Sequence, residues 1–247
     1  MAPFVEFTDY KNWIEFEGVY KTQPRGLKNG FATFKPALIR FMQAFICIAL
    51  HLSVVMGLGI SVYFAGTQEF INYKSFFHRF VFYYIGMSGQ RMMYYAPWCF
   101  TEAACIACGL SYNGMKRVGV KDVISWDSIM CIDILGVEFG NTPLRMMGKW
   151  NHGTHLWLKN HVQQRLLKPG QKPGIKETYL TFAVSAFWHG FYPFYYIMFF
   201  MCACLTELSK DIYRSRILFN FIPSEYRNIV ANVAAMSMLN YLGVAFN

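Results

Sequence analysis

Charge is what this sequence has least of, and negative charge above all: 15% of its 247 residues are charged, 14 of them acidic against 23 basic. Soluble domains average about one quarter. Together with 55% hydrophobic and 19% aromatic residues, that scarcity excludes an ordinary water-soluble domain and points to a bilayer. Residues 1–35 have no apolar core followed by a small-residue cleavage site, so the first span is expected to direct insertion. There is no HExxH for a zinc hydrolase and no GxSxG turn for a serine nucleophile, which leaves His152/His155 and Ser185/His189 without the rest of either site. The seven cysteines supply one CxxC, Cys105 and Cys108, without a second pair, and six of the seven lie in apolar runs where a thiol packs as a small hydrophobe.

What is present is a set of long charge-free runs. A helix needs about 20 mostly apolar residues to cross hydrocarbon, and 28 uncharged residues lie between Arg40 and Glu69, 29 between Glu177 and Glu207, and 20 from Asn228 to Asn247. The stretch 76–110 is interrupted by His78, Arg79, Arg91, Glu102 and Pro97, and reads as one or two shorter or re-entrant helices. The expected fold is therefore all-α: a polytopic transmembrane bundle with kinked and re-entrant helices and short interfacial helices, in a single domain over 1–247. The excess of +9 gathers at Lys21–Lys35, Lys116–Lys121 and Lys149–Lys176. These clusters flank apolar spans as cytosolic loops do, rather than forming the basic face of a nucleic-acid binder. The last of them could also meet the phosphates of an anionic cosubstrate.

Chemistry is expected where polar groups fall at hydrocarbon depth. His189 lies 13 residues past Lys176, about 20 Å along a helix and beyond the middle of a core of about 30 Å. Pro193, four residues on, cannot bond the carbonyl of residue 189 and is expected to kink the helix there. A desolvated imidazole would be neutral, as a general base must be. Upstream, Asn151, His155 and Leu158 share one helical face with Thr154 beside them, and Trp150 and Trp157 share a neighbouring stripe. Glu102, in an apolar run, calls for a partner or a cavity, with Arg91 as a candidate.

The segment SAFWHGFYPFYYIMFF (185–200) resembles the histidine motif of membrane-bound O-acyltransferases, in the order Trp188, His189, Gly190, Tyr192, Pro193, Tyr195, Tyr196. KWNHGTHLWLKNHVQQR (149–165) resembles that family's Trp-Asn-x-x-Thr-x-x-Trp-Leu-Lys element through Trp150, Asn151, Thr154, Trp157 and Lys159. The stretches 101–114 and 126–140 are similar to its lysophospholipid branch, and so is the opening FVEFTDYKNWIE. Phe194 and Ala103 stand where that branch usually has glycine.

The resemblance implies a lysophospholipid acyltransferase of the endoplasmic reticulum membrane that uses acyl-CoA as cosubstrate, with no resident cofactor, no metal and no nucleic acid. His189 would be the general base and Asn151 its orienter or oxyanion donor. Trp150, Thr154, Trp157, Lys159, Trp188, Tyr192, Tyr195 and Glu102 would line the substrates. Family members are about twice this long, which implies a carboxyl-terminal part of a longer core. A protein or sterol acceptor, and an inactive chain acting by interaction, are the alternatives. A transporter finds no support, because no matching pair of broken segments suggests an inverted repeat.

Overall fold

The computed structural model describes residues 3–23, 32–61, 63–64, 67–72, 75–215 and 222–243. Parts of two sequence features, the basic cluster Lys21–Lys35 and the terminal run 228–247, lie outside them. The chain forms two compact units: Met1–Gly59 with Gly89–Ile132, and Ile60–Ser88 with Asp133–Asn247. The helices are α1 (Phe7–Glu15), α2 (Phe34–Leu52), α3 (Gln68–Ile71), α4 (Phe76–Ala107), α5 (Ile134–Glu138), α6 (Pro143–Lys149), α7 (His152–Leu158), α8 (Ile175–His189), α9 (Pro193–Ser215) and α10 (Arg227–Gly243).

The fold is mostly helical but not all-α. Strands β1 (Met115–Val118) and β2 (Lys121–Ile124) pair antiparallel, with Val118 opposite Lys121. The two-residue turn between them opens on Gly119 at φ 63°, a sign of φ that such hairpin turns require.

In the first unit α2 continues through a π-helical turn at 53–57. Among the described residues, 34–57 is the one helix whose length and composition suit a membrane crossing: over its most apolar 18 residues mean hydropathy reaches 1.9 and 11% are buried by the chain itself. It packs antiparallel to the second half of α4. Phe41 and Phe45 meet the Phe100 ring edge-on at 5.3 and 5.4 Å, and His51 Nδ1 lies 2.9 Å from the Gly89 carbonyl. A Cβ at Gly89 would fall 2.8 Å from Val54, so the small residue lets the helices approach.

Glu102 is 4% exposed, and its partner is Arg40 rather than Arg91: Arg40 Nε donates to Oε2 at 2.7 Å. Oε1 accepts the amides of Cys131 and Ile132 at 2.7 and 2.9 Å, and Arg40 also donates to the Ile132 carbonyl at 2.6 Å. Cys131 is buried beside this network, whereas Cys108 is exposed. Pro97 does not split α4, which is one helix of 32 residues. The Thr101 hydroxyl donates to the Pro97 and Trp98 carbonyls at 3.1 and 2.9 Å.

The second unit is organised by α8 and α9. The Glu177 carboxylate accepts the Gly174 amide at 2.8 Å and so caps the start of α8. The helix does not kink at Pro193, as the sequence led us to expect; it stops at His189. Gly190 leaves the helix at φ 111° and Pro193 is the first residue of α9, a favoured place because the missing amide is unneeded there. The chain doubles back. Tyr179 meets Phe200 at 5.4 Å, Phe182 meets Phe199 at 6.5 Å and His189 meets Tyr195 at 5.8 Å, all between ring centres, while Lys210 Nζ reaches Thr178 at 3.5 Å. Each pair of numbers sums to nearly the same value, the signature of an antiparallel helical hairpin. The 15 residues of α8 span about 22 Å, too little to cross about 30 Å of hydrocarbon alone. Elsewhere in this unit, Asn232 of α10 donates to the Glu138 and Gly140 carbonyls at 2.9 and 2.6 Å. Tyr83 of α4 donates to the Asn240 carbonyl at 2.7 Å.

Candidate functional site

His189 is the last residue of α8 and stands at the tip of the hairpin. Its imidazole lies 4.9 Å from the Phe199 ring at 36°, and 5.8 Å from Tyr195 at 61°. Phe199 was not singled out from the sequence. It is ten residues away, and only the reversal at Gly190 brings it back against the histidine. From Tyr195 the ring contacts continue to Tyr192 at 5.5 Å and on to Phe194 at 5.4 Å. The bulky residue at 194 therefore stacks at the tip. Within this chain the imidazole is exposed rather than buried. Trp188 and Tyr192, 49% and 54% exposed, share that surface.

The Trp-Asn element is not one helix. Trp150 is extended and closes α6, and Asn151 takes a left-handed conformation, φ 45° and ψ 53°, before α7 begins at His152. Asn151 therefore does not share a helical face with His155 and Leu158. Asparagine is among the few side chains that accept this region readily. Thr154 Oγ1 donates to Asn151 Oδ1 at 2.8 Å, which leaves the amide Nδ2 as a donor. His152 Nδ1 lies 2.8 Å from the Gly148 carbonyl, so that nitrogen carries a proton and cannot ligate a metal.

After α7 the chain stays helical through a π turn at 159–163 and a 3₁₀ turn at 164–166, where the sequence had suggested a loop. This helical stretch runs antiparallel beside α8. Trp157 meets Trp188 edge-on at 5.4 Å and also touches the His161 ring at 5.5 Å. An open, apolar groove of about 370 Å³ lies between the two, lined by Val162, Leu166, Leu180, Ala183, Val184 and Phe187.

The structure thus joins His189 to Tyr195 and Phe199, and through Tyr195 to Tyr192, while Trp157 pairs with Trp188. Trp150, Asn151 and Thr154 form the turn into α7, and Lys159 is exposed at the first position of the π turn. Glu102 lies in the other unit, with both carboxylate oxygens engaged by Arg40 and two backbone amides.

The chain is 30% identical over 248 residues to lysophospholipid acyltransferase 2 of Arabidopsis thaliana, covering 99% of this chain and 52% of that protein. It is 41% identical over 141 residues to the lysophospholipid acyltransferase of Saccharomyces cerevisiae, covering 57% and 22%. Against membrane-bound glycerophospholipid O-acyltransferase 1 of Mus musculus the identity is 26% over 244 residues, covering 96% and 47%. The chain spans about half the length of the curated relatives it matches. The family model of the membrane-bound O-acyltransferases matches residues 1–246, across both units and through the hairpin that carries His189. A match that takes in nearly every residue decides the matter: the chain belongs to the membrane-bound O-acyltransferase family.

Proposed function

We propose that this chain carries the reaction centre of a multi-pass enzyme of the endoplasmic reticulum membrane that moves a fatty acyl group from acyl-CoA to the free glycerol hydroxyl of a lysophospholipid. The observation that carries the reading is His189 at the tip of a helical hairpin, about 20 Å along α8 from its basic end, held by Phe199 and Tyr195. Relatives named lysophospholipid acyltransferase at 30% and 41% identity support the acceptor class. With α8 too short to cross, the hairpin reads as re-entrant, and it delivers an imidazole to hydrocarbon depth, where a lipid acceptor arrives laterally.

His189 accepts the proton of the glycerol hydroxyl as that oxygen attacks the thioester carbonyl. The carbonyl oxygen becomes an oxyanion, and Asn151 Nδ2 donates to it, a contribution of about 2.7–4 kcal/mol where single donors have been removed from other enzymes. Collapse of the tetrahedral species breaks the carbon–sulfur bond, and the CoA thiolate takes the proton back from the imidazolium. No acyl-enzyme is needed, since proximity, a base and an oxyanion donor suffice for direct transfer. Trp150, Thr154, Trp157, Lys159, Trp188, Tyr192 and Tyr195 form the walls around the reacting atoms. Glu102 keeps only the indirect part of fixing α2 to α4 and the 131–132 backbone.

The test is incubation of membranes containing the protein with radiolabelled acyl-CoA and a panel of lysophospholipids that differ in head group. Labelled diacyl phospholipid from at least one acceptor is the expected result. Label passing only to protein or sterol would overturn the acceptor class.

A further inference from the structure

One face of α8 has a use that the reaction does not require. Lys176, Leu180, Ala183, Val184 and Phe187 follow one another at i, i+4, i+7, i+8 and i+11, a single stripe that begins with a cation and continues in hydrocarbon. Val162 and Leu166, one turn apart, form the facing wall of the groove of about 370 Å³, and Trp157 with Trp188 stands at its far end. The apolar part runs about 10 Å along the helix, from residue 180 to residue 187.

Its near end is different. No acidic residue occurs between Glu138 and Glu177, whereas Arg165, Lys168, Lys172 and Lys176 all lie there, exposed. Among the described residues none of these four forms a salt bridge, and the nearby Glu177 carboxylate is turned onto the Gly174 amide. The groove is open, the six side chains that line it are all apolar, and the cations gather at its near end. That matches an amphiphile whose phosphate stays at the basic edge while its tail follows α8 toward the tip. The amide-bearing pantetheine arm of a CoA ester would find no partners in it.

We propose that this groove binds one acyl chain of an anionic bilayer phospholipid, whose phosphate is met by Arg165, Lys168, Lys172 and Lys176. Juxtamembrane cations favour anionic lipid by about 1 kcal/mol each, which is about fivefold per charge. The site borders the proposed reaction centre at Trp157 and Trp188, but its readout is binding rather than turnover, so its failure and that of the acyl-transfer reading are distinguishable.

Trp157 and Trp188 provide a built-in reporter. The full chain is reconstituted in nanodiscs of zwitterionic lipid, and tryptophan quenching is followed as chain-brominated phosphatidylglycerol or phosphatidylcholine is titrated in. Stronger quenching by the anionic lipid at equal mole fraction is expected. Lys168→Gln, Lys172→Gln and Lys176→Gln combined should lower that preference by about fivefold per charge. Ala183→Phe, and separately Val184→Phe, should remove the groove-dependent quenching of both lipids; both positions are exposed on α8, so one variant checks the folding of the other by its melting curve. Equal quenching by the two lipids in the unmodified protein overturns the proposal, as does quenching unchanged in both groove-filled variants. Displacement of the anionic lipid by free CoA would also overturn it, since the lysines would then serve a soluble nucleotide.

Discussion

Asn151 is where the structure separates two effects that one substitution would confound. Its backbone is left-handed, φ 45°, a conformation that costs most L-residues about 1–2 kcal/mol and glycine nothing. Its Oδ1 also accepts the Thr154 hydroxyl at 2.8 Å, worth about 0.5–1.5 kcal/mol net. Asn151→Ala therefore loses the amide and strains the turn into α7 as well, and a drop in activity would not say which mattered. Asn151→Gly removes the amide and relaxes the backbone. Asn151→Asp keeps the shape and the acceptor for Thr154 but removes the Nδ2 donor. If the amide stabilises the oxyanion, its loss costs about 2.7–4 kcal/mol, or 10²–10³ in turnover. Turnover per unit of protein and the melting temperature in detergent should be read side by side. Both Asn151→Gly and Asn151→Asp are expected to lose that factor, while Asn151→Ala loses it and melts earlier than Asn151→Gly. Activity of Asn151→Asp within about fivefold of the parent would refute the donor role and leave the side chain an orienting one through its oxygen.

Other outcomes follow from single contacts. Breaking the Arg40–Glu102 pair, whose side chains are 17% and 6% exposed, should cost about 3–5 kcal/mol, so Glu102→Ala lowers the melting temperature and the yield; an unchanged melt with a raised KM would instead make Glu102 a substrate contact. Gly190→Ala meets no atom within 4 Å, yet it forces a side chain to φ 111°, at about 1–3 kcal/mol. It should reduce turnover by more than tenfold with normal expression, which Western blotting and labelled acyl transfer would check. Partial burial raises the Asp127 carboxyl, but hydrogen bonds from Lys116, Ser125 and Asn113 outweigh it and hold the group down at about 2 instead of 3.8. Its stabilisation of the hairpin is therefore complete above about pH 4 and is lost as pH falls through 2. Because the side chain is 47% exposed, the contribution is at most about 1 kcal/mol. Hydrogen exchange of 115–124 in the parent and in Asp127→Asn should differ at pH 6 and converge near pH 2.

Those residues also mark what the sequence could convey. The span near residue 41 was legible because 28 residues without charge leave few alternatives to a membrane helix, although its start at Phe34 was not. The β-hairpin was missed because MKRV and KDVI are too short for alternation to register among so many cations. The histidine drew attention as a polar group in an apolar run, but the proline after it was weighed alone. Glycine just past a helix followed by proline is a stop signal, and His189, Gly190 and Pro193 spell it. At Asn151 only the residue type favours a left-handed backbone, and the helical spacing around it argued the other way. Arg40 as the partner of Glu102, and Phe199 as the platform for His189, depend on antiparallel pairing between helices, which periodicity within one helix does not encode.

The account rests on His189 as the base, and the most direct measurement is acyl transfer from labelled acyl-CoA by His189→Ala beside the parent, in membranes with matched protein levels. Removing a general base is worth about 10²–10⁴ in rate, so a loss of at least 10²-fold with an unchanged melting temperature is predicted. Transfer within about threefold of the parent would contradict the central claim.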